Sequence, residues 1–252
     1  MRAVVAEFLG TLIVIMFGTG VVAMTILFGK GLPGEIVNGG YTNITIAWGI
    51  AVTMGIYASA KWSGAHLNPA VTVSLALFRN FSWRMVGPYI LAQVAGAFCA
   101  AALVFWNYRP AFHAFDPGLS KSAGVFTTFP AFPDQLSAGL LDQVIGTALL
   151  MFMILAIGDE ATQFGPILVG LLVVVIGMAF GGMHGYAINP ARDFGPRLFT
   201  AVAGFQNNGL TSGPPVFWVP IAGPIIGGIV GSAVFEWSLG SRSRKNASLK
   251  SS

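Results

Sequence analysis

Charge is what this sequence lacks. Only 9% of its 252 residues are Asp, Glu, Lys or Arg, where a soluble domain averages about 25%. Too few charges remain to coat a water-facing surface, which excludes an ordinary soluble globule. Cysteine is nearly absent as well. Cys99 stands alone inside an apolar run, so an intrachain disulfide is excluded and a buried, inert thiol is expected. Histidine is limited to His66, His113 and His184. None has Glu-x-x-His or paired-ligand spacing on one helix, and no Gly-x-Ser-x-Gly elbow occurs. A membrane enzyme therefore finds no support, and no metal or cofactor is implied.

What is present is apolar. Hydrophobic residues make up 55% of the chain and mean hydropathy is +0.75, which excludes disorder. The net charge of +4 reads as membrane topology, not as nucleic-acid binding. Roughly 20 apolar residues cross a bilayer as one helix. On that measure the expected spans are 4–28, 42–61, 84–106, 139–158, 166–183 and 216–237. The uncharged run Phe8–Gly29 covers 22 residues, longer than a signal-peptide core, so the first span is expected to be a retained membrane helix. Two shorter apolar stretches, 69–79 and 190–202, each begin at a proline. At 1.5 Å per residue each reaches about half the bilayer.

Lys and Arg set the orientation. With the N-terminus inside, the cytoplasmic side carries Arg2, Lys61, Arg79, Arg84, Arg242, Arg244, Lys245 and Lys250. The far side carries Lys30, Arg109, Lys121, Arg192 and Arg197. The basic tail 239–252 is expected to be solvated, near anionic lipid. The long loop 107–138 carries Phe112, Phe115, Phe126, Phe129 and Phe132, which suggest packing back onto the bundle.

The chain also repeats itself. Ala65-His66-Leu67-Asn68-Pro69-Ala70 matches Tyr186-Ala187-Ile188-Asn189-Pro190-Ala191, and Glu7 in the first span matches Gln143 in the fourth. Ala92, Gly96 and Ala100 in the third span, and Gly223, Gly227 and Gly231 in the sixth, are small-residue stripes that let helix backbones touch. Three crossings per repeat is an odd number, so the two copies face opposite ways, as in channels and transporters. An active transporter usually recruits intramembrane acids, and the six expected spans hold only Glu7, Asp142 and, next to the end of the last, Glu236.

The chemistry is expected at the two Asn-Pro-Ala turns. Asn is a strong N-cap and proline suits the first helical turn. Read alone, one Asn-Pro is a structural turn. Two of them, each opening a half-length helix from opposite sides, bring two helix N-termini together near the midplane. Each terminus carries about half a positive charge, which repels cations. Asn68 and Asn189 are expected to keep amide N–H groups free to donate. The backbone before each cap cannot be helical, so the carbonyls of Gly64, Ala65, His66, Leu67, His184, Gly185, Tyr186 and Ala187 are expected to line water. Donors beside a ladder of acceptors suit a hydroxyl-bearing solute.

Ser63-Gly64-Ala65-His66-Leu67-Asn68-Pro69-Ala70-Val71-Thr72 and Asn189-Pro190-Ala191-Arg192-Asp193-Phe194-Gly195-Pro196-Arg197 resemble the two signature loops of the aquaporin (major intrinsic protein) family. The resemblance covers residues 3–238. It implies an all-α membrane protein, with six transmembrane helices and two re-entrant half-helices in a right-handed inverted-repeat bundle. It further implies one channel domain (1–238, with repeats at 1–106 and 139–238) and a homotetramer with one pore per subunit.

Within that family, the outer constriction maps to Trp48, Gly177, Tyr186 and Arg192. This set resembles the glycerol-type filter, with Tyr186 where Phe is usual. Gly177 would leave space where water channels carry a histidine. Asp193 with Arg197, and Pro220-Ile221, point to the same branch. The resemblance also implies that Glu7 accepts hydrogen bonds from a re-entrant loop, with Gln143 as its counterpart. An Asp193–Arg197 pair would brace the second loop. His66 is expected to brace its own loop. His184 is expected in the outer loop, either hydrogen-bonded there or facing the mouth as a pH-sensitive group. The function implied is passive conduction of glycerol, other small polyols and water, with protons and ions excluded; the alternative is a water-selective channel. The cellular setting implied is a bacterial-type inner membrane with both termini cytoplasmic.

Overall fold

The computed structural model describes residues 1–28 and 39–240. Six helices are long and apolar enough to cross a membrane: α1 (Arg2–Leu27), α2 (Gly40–Ser63), α4 (Trp83–Asn107), α6 (Leu136–Asp159), α7 (Gly165–His184) and α9 (Val219–Phe235). The last continues into a π-helical turn, Glu236–Gly240. Two half-length helices, α3 (Pro69–Phe78) and α8 (Pro190–Val202), sit between them. All eight segments lie where the apolar runs predict them, with ends moved by at most three residues. Lys30 and the basic residues from Arg242 onward lie outside the described residues.

The pattern of exposure is the reverse of a soluble protein's. Leu91, Trp106, Leu171 and Val175 face outward, while Glu7, Gln93, Gln143 and Asp193 are fully buried. Exposed Trp62, Trp83, Trp106 and Trp237 stand at helix ends, where amphipathic rings favour the membrane–water boundary.

Packing follows the repeat. In the first half α1 lies between α2 and α4; in the second α6 lies between α7 and α9. The half-helices are exchanged: α3 packs chiefly on α9, and α8 on α4. Small residues make these crossings. A Cβ on Gly96 would meet the Phe8 carbonyl of α1, and one on Gly231 would meet the Ala148 carbonyl of α6. The structure adds a third close crossing that the stripes did not indicate, Gly49 of α2 on Gly170 of α7.

The loop 107–138 has structure of its own. It holds α5 (Arg109–Phe115), begun at Pro110, and a 3-10 turn, Ser122–Val125. Phe112 and Phe126 are wholly buried and stack at 5.6 Å, while Phe132 is exposed. Cys99 is half-buried, not buried as expected.

Candidate functional site

Both half-helices are entered in the same way. A glycine with left-handed φ ends the preceding helix: Gly64 (φ 81°) bonds back to Ala60, and Gly185 (φ 65°) to Gly181. Four residues on, an extended asparagine restarts the chain as a helix. Asn68 Oδ1 accepts from the Ala70 N–H at 2.8 Å. Asn189 Oδ1 accepts from Ala191 and Arg192 at 3.0 and 3.2 Å. Between glycine and asparagine, Ala65, Leu67, Tyr186 and Ile188 take positive φ of 52°, 52°, 36° and 45°. Each costs about 1–2 kcal/mol for a residue with a Cβ, and such strain gathers at functional sites.

The two loops grip each other. Asn68 Nδ2 donates to the Ile188 carbonyl at 2.9 Å, and Asn189 Nδ2 donates to the Leu67 carbonyl at 2.8 Å. Each side chain spends one N–H across the interface and keeps one. Of the carbonyls expected to line water, that of Leu67 is thereby taken, as is that of Ile188, its counterpart in the repeat. His184 belongs to α7, and its carbonyl accepts from Gln143 Nε2 at 3.0 Å. The carbonyls of Gly64, Ala65 and His66, and of Gly185, Tyr186 and Ala187, meet no protein donor among the described residues.

A buried polar layer stands behind each loop. Glu7 accepts from the backbone N–H groups of His66 (2.9 Å) and Leu67 (2.7 Å) and from Gln93 Nε2 (2.7 Å). Gln93 also reaches Thr72, which meets His66 Nδ1 at 3.1 Å. The His66 ring packs edge-on against Phe81 and Tyr89, which also touch each other. In the second repeat, Gln143 Oε1 accepts from Ile188 N–H at 2.9 Å. Asp193 pairs with Arg197 at 2.7 Å, with neither side chain exposed. Asp193 also accepts from Thr128, and Arg197 donates to the carbonyls of Thr128 and Asn208. The second loop is thereby tied to the chain at 126–129. Gln93 escaped the sequence reading, although a lone glutamine in an apolar span is a signal. Thr72 and Thr128 carry none.

A cavity of about 350 Å³ runs from Ile157, Gly158 and Thr162, past Asn68 and Asn189, to Trp48, Tyr186 and Arg192. At that end the Arg192 guanidinium stacks over the Trp48 ring at 4.3 Å and donates to the Phe126 carbonyl at 3.2 Å. Gly177 does not line the cavity. The space left by its missing side chain is filled by the Tyr186 ring, which a Cβ would meet at 2.8 Å. The Gly177 carbonyl accepts from the Tyr41 hydroxyl at 2.8 Å, a contact that nothing in the sequence pattern suggested.

His184 departs from both sequence readings. It is fully buried at the end of α7, and neither ring nitrogen has a hydrogen-bond partner among the described residues. The imidazole fills a niche left by Gly139 and does not line the cavity.

Outside the membrane-spanning segments, Asp116 organises the long loop. Its carboxylate accepts from Ser120, Lys121 and Ser122 at 2.7–3.2 Å. Burial acts to raise its pKa, but these hydrogen bonds prevail and hold it at about 2, below the ordinary 3.8.

The sequence matches the model of the major intrinsic protein family over residues 1–235. It is 46% identical to a probable glycerol uptake facilitator protein of Thermotoga maritima, over 94% of this chain and 99% of that one. It is 42% identical to the glycerol uptake facilitator protein of Escherichia coli K12, over 94% and 87%. The fold is similar to the X-ray structure of the aquaglyceroporin from Plasmodium falciparum, with a TM-score of 0.83 and 29% identity, over 96% of this chain and 98% of that one. With two capped half-helices facing each other inside six apolar spans, and with this match along nearly its whole length, the chain belongs to the major intrinsic protein family of integral, multi-pass membrane channels.

Proposed function

We propose that the chain is a passive channel for glycerol and related small neutral solutes, together with water. The observation that carries this reading is the filling of the Gly177 gap by the Tyr186 ring beside Arg192 and Trp48. This leaves an aromatic corner facing one fixed guanidinium. A carbon skeleton packs on the rings while its hydroxyls accept from Arg192. The names of the relatives agree, since they are glycerol uptake facilitators and an aquaglyceroporin.

In this reading Trp48, Tyr186 and Arg192 line the selectivity filter, and Gly177 contributes by leaving room for the Tyr186 ring. Asn68 and Asn189 donate at the centre with their remaining N–H groups. The carbonyls of Gly64 to His66 and of Gly185 to Ala187 accept along the way. Glu7, Gln143, Asp193 and Arg197 hold the loops. The two helix N-termini make the midpoint positive, so a passing proton or cation meets repulsion where a neutral molecule finds donors. Residues 1–238 act as one channel unit of two repeats, followed by a basic tail. Four copies assemble, each with its own pore, in a bacterial-type inner membrane with both termini cytoplasmic.

Stopped-flow light scattering on proteoliposomes tests this. A glycerol gradient should give rapid shrinkage and then protein-dependent re-swelling. Shrinkage without re-swelling would make the protein a water channel instead, with Tyr186 the side chain that closes it.

A further inference from the structure

Where α1 begins and α2 ends, the fold gathers positive charge and leaves it unanswered. Arg2 opens α1, and Lys61 lies in the last turn of α2. Both reach the same indole. The Arg2 guanidinium lies 5.4 Å from the centre of the Trp62 ring, and the Lys61 ammonium 5.5 Å. An aromatic face attracts a cation, but two cations on one ring repel each other. No acid relieves them. Neither makes an ion pair among the described residues, and the first turn of α1 holds no acidic side chain. At the same end of the bundle, Asp159 and Glu236 are taken by Arg79. The deeper Arg192 and Arg197 are spent on carbonyls and on Asp193.

The surface below this pair is apolar. Helical spacing sets Val5 and Leu9 on the face of α1 that carries Arg2, and Tyr57 and Met54 on the face of α2 that carries Lys61. All four are exposed. The two stripes run about 10 Å from the cations toward the bilayer centre. Trp62, 49% exposed at the end of α2, marks the level of the membrane–water boundary. A free anion would use the cations and ignore the stripes, whereas a phospholipid uses both. We propose that Arg2, Lys61 and Trp62 form a binding site for the headgroup of an anionic phospholipid. Its phosphate accepts from the guanidinium and the ammonium, and its chains lie along the stripes. A zwitterionic headgroup carries an ammonium of its own, which the two cations repel, so the site distinguishes lipids by net charge. It lies apart from the cavity and does not depend on which solute the channel passes.

Thermal unfolding of the purified protein in dodecyl maltoside tests this, with titrated dioleoylphosphatidylglycerol, dioleoylphosphatidylcholine or inorganic phosphate. The native protein should reach half of its full stabilisation at a phosphatidylglycerol concentration at least about tenfold below that of phosphatidylcholine, given roughly fivefold for each basic group. Both side chains are exposed, so Arg2→Gln/Lys61→Gln should fold and melt as the native protein does without lipid, and should lose the preference. Arg84→Gln, a change at an exposed residue of the same end, should keep it. Equal responses of the native protein to the two lipids overturn the proposal without any variant. A preference retained by the double variant, or lost equally in Arg84→Gln, overturns the site in favour of diffuse surface charge. Inorganic phosphate that stabilises as well as phosphatidylglycerol at equal concentration overturns the lipid as the ligand.

Discussion

Glu7 and Gln143 occupy matching places in the two repeats, yet one is an acid and the other an amide. The backbone explains the difference. In the first repeat two N–H groups, of His66 and Leu67, point at position 7, and a carboxylate offers two acceptor oxygens. In the second, one N–H and one carbonyl, of Ile188 and His184, point at position 143, and an amide offers one acceptor and one donor. Glu7→Ala should therefore leave two backbone donors and Gln93 unpaired in a site with no exposure. The expected loss is at least about 3 kcal/mol, with a misfolded first loop. Thermal unfolding in detergent measures this, and a fully stable, conducting Glu7→Ala protein would sink the account. Asp193 and Arg197 form the second test at this scale. Asp193→Asn strands a buried guanidinium and should cost about 3–5 kcal/mol. The Asp193→Asn/Arg197→Met double variant should recover part of that cost, because replacing both partners is cheaper than removing one. A double-mutant cycle on melting temperatures checks it.

The half-helices and their crossings were legible because each rule involved is local. Asn-Pro gives the start, apolar length gives the reach, and small residues four apart mark a contact face. What spacing could not give is the neighbour on that face. Gly96 approaches the Phe8 carbonyl and Gly231 the Ala148 carbonyl, and backbone cannot move aside as a side-chain tip can. Gly96→Leu and Gly231→Leu should each cost more than about 2 kcal/mol by overpacking. Gly20→Ala, with open space around its Cβ, should instead gain up to about 1 kcal/mol from helix propensity. Equal melting temperatures for all three variants would contradict the packing described. The loop between the repeats makes a pH prediction. The pKa of Asp116 is lowered to about 2 in the folded chain, so its contribution is complete above the ordinary 3.8 and disappears as pH falls through about 2. From the size of that shift, Asp116→Asn should be less stable than the native chain by roughly 2 kcal/mol at pH 6. The gap should close on acidification toward pH 2, followed by unfolding scans at several pH values.

At the scale of the molecule, the outer faces of the helices carry Leu9, Met16, Phe17, Leu141, Leu149 and Leu171 in exposed positions, surface suited to lipid tails and to neighbouring copies. The proposed assembly of four copies predicts a particle of four 26.4 kDa chains once bound detergent is subtracted, which light scattering on the purified protein measures; a monomer that conducts at full rate would remove the assembly from the mechanism. The sequence by itself determined the class of molecule, the number and places of its spans, the two opposed repeats and the residues at the centre. Each of these follows from composition, from length against a bilayer, or from a cap whose partners lie within three residues. The tertiary structure alone decided which Asn N–H groups remain free, that the His184 carbonyl is spent on Gln143, and that the Tyr186 ring fills the gap at Gly177. It also decided that His184 is sealed inside and that Gln93 and Tyr41 belong to the site. Those outcomes depend on contacts between residues as much as 136 positions apart, and no local rule reaches across the fold to fix them.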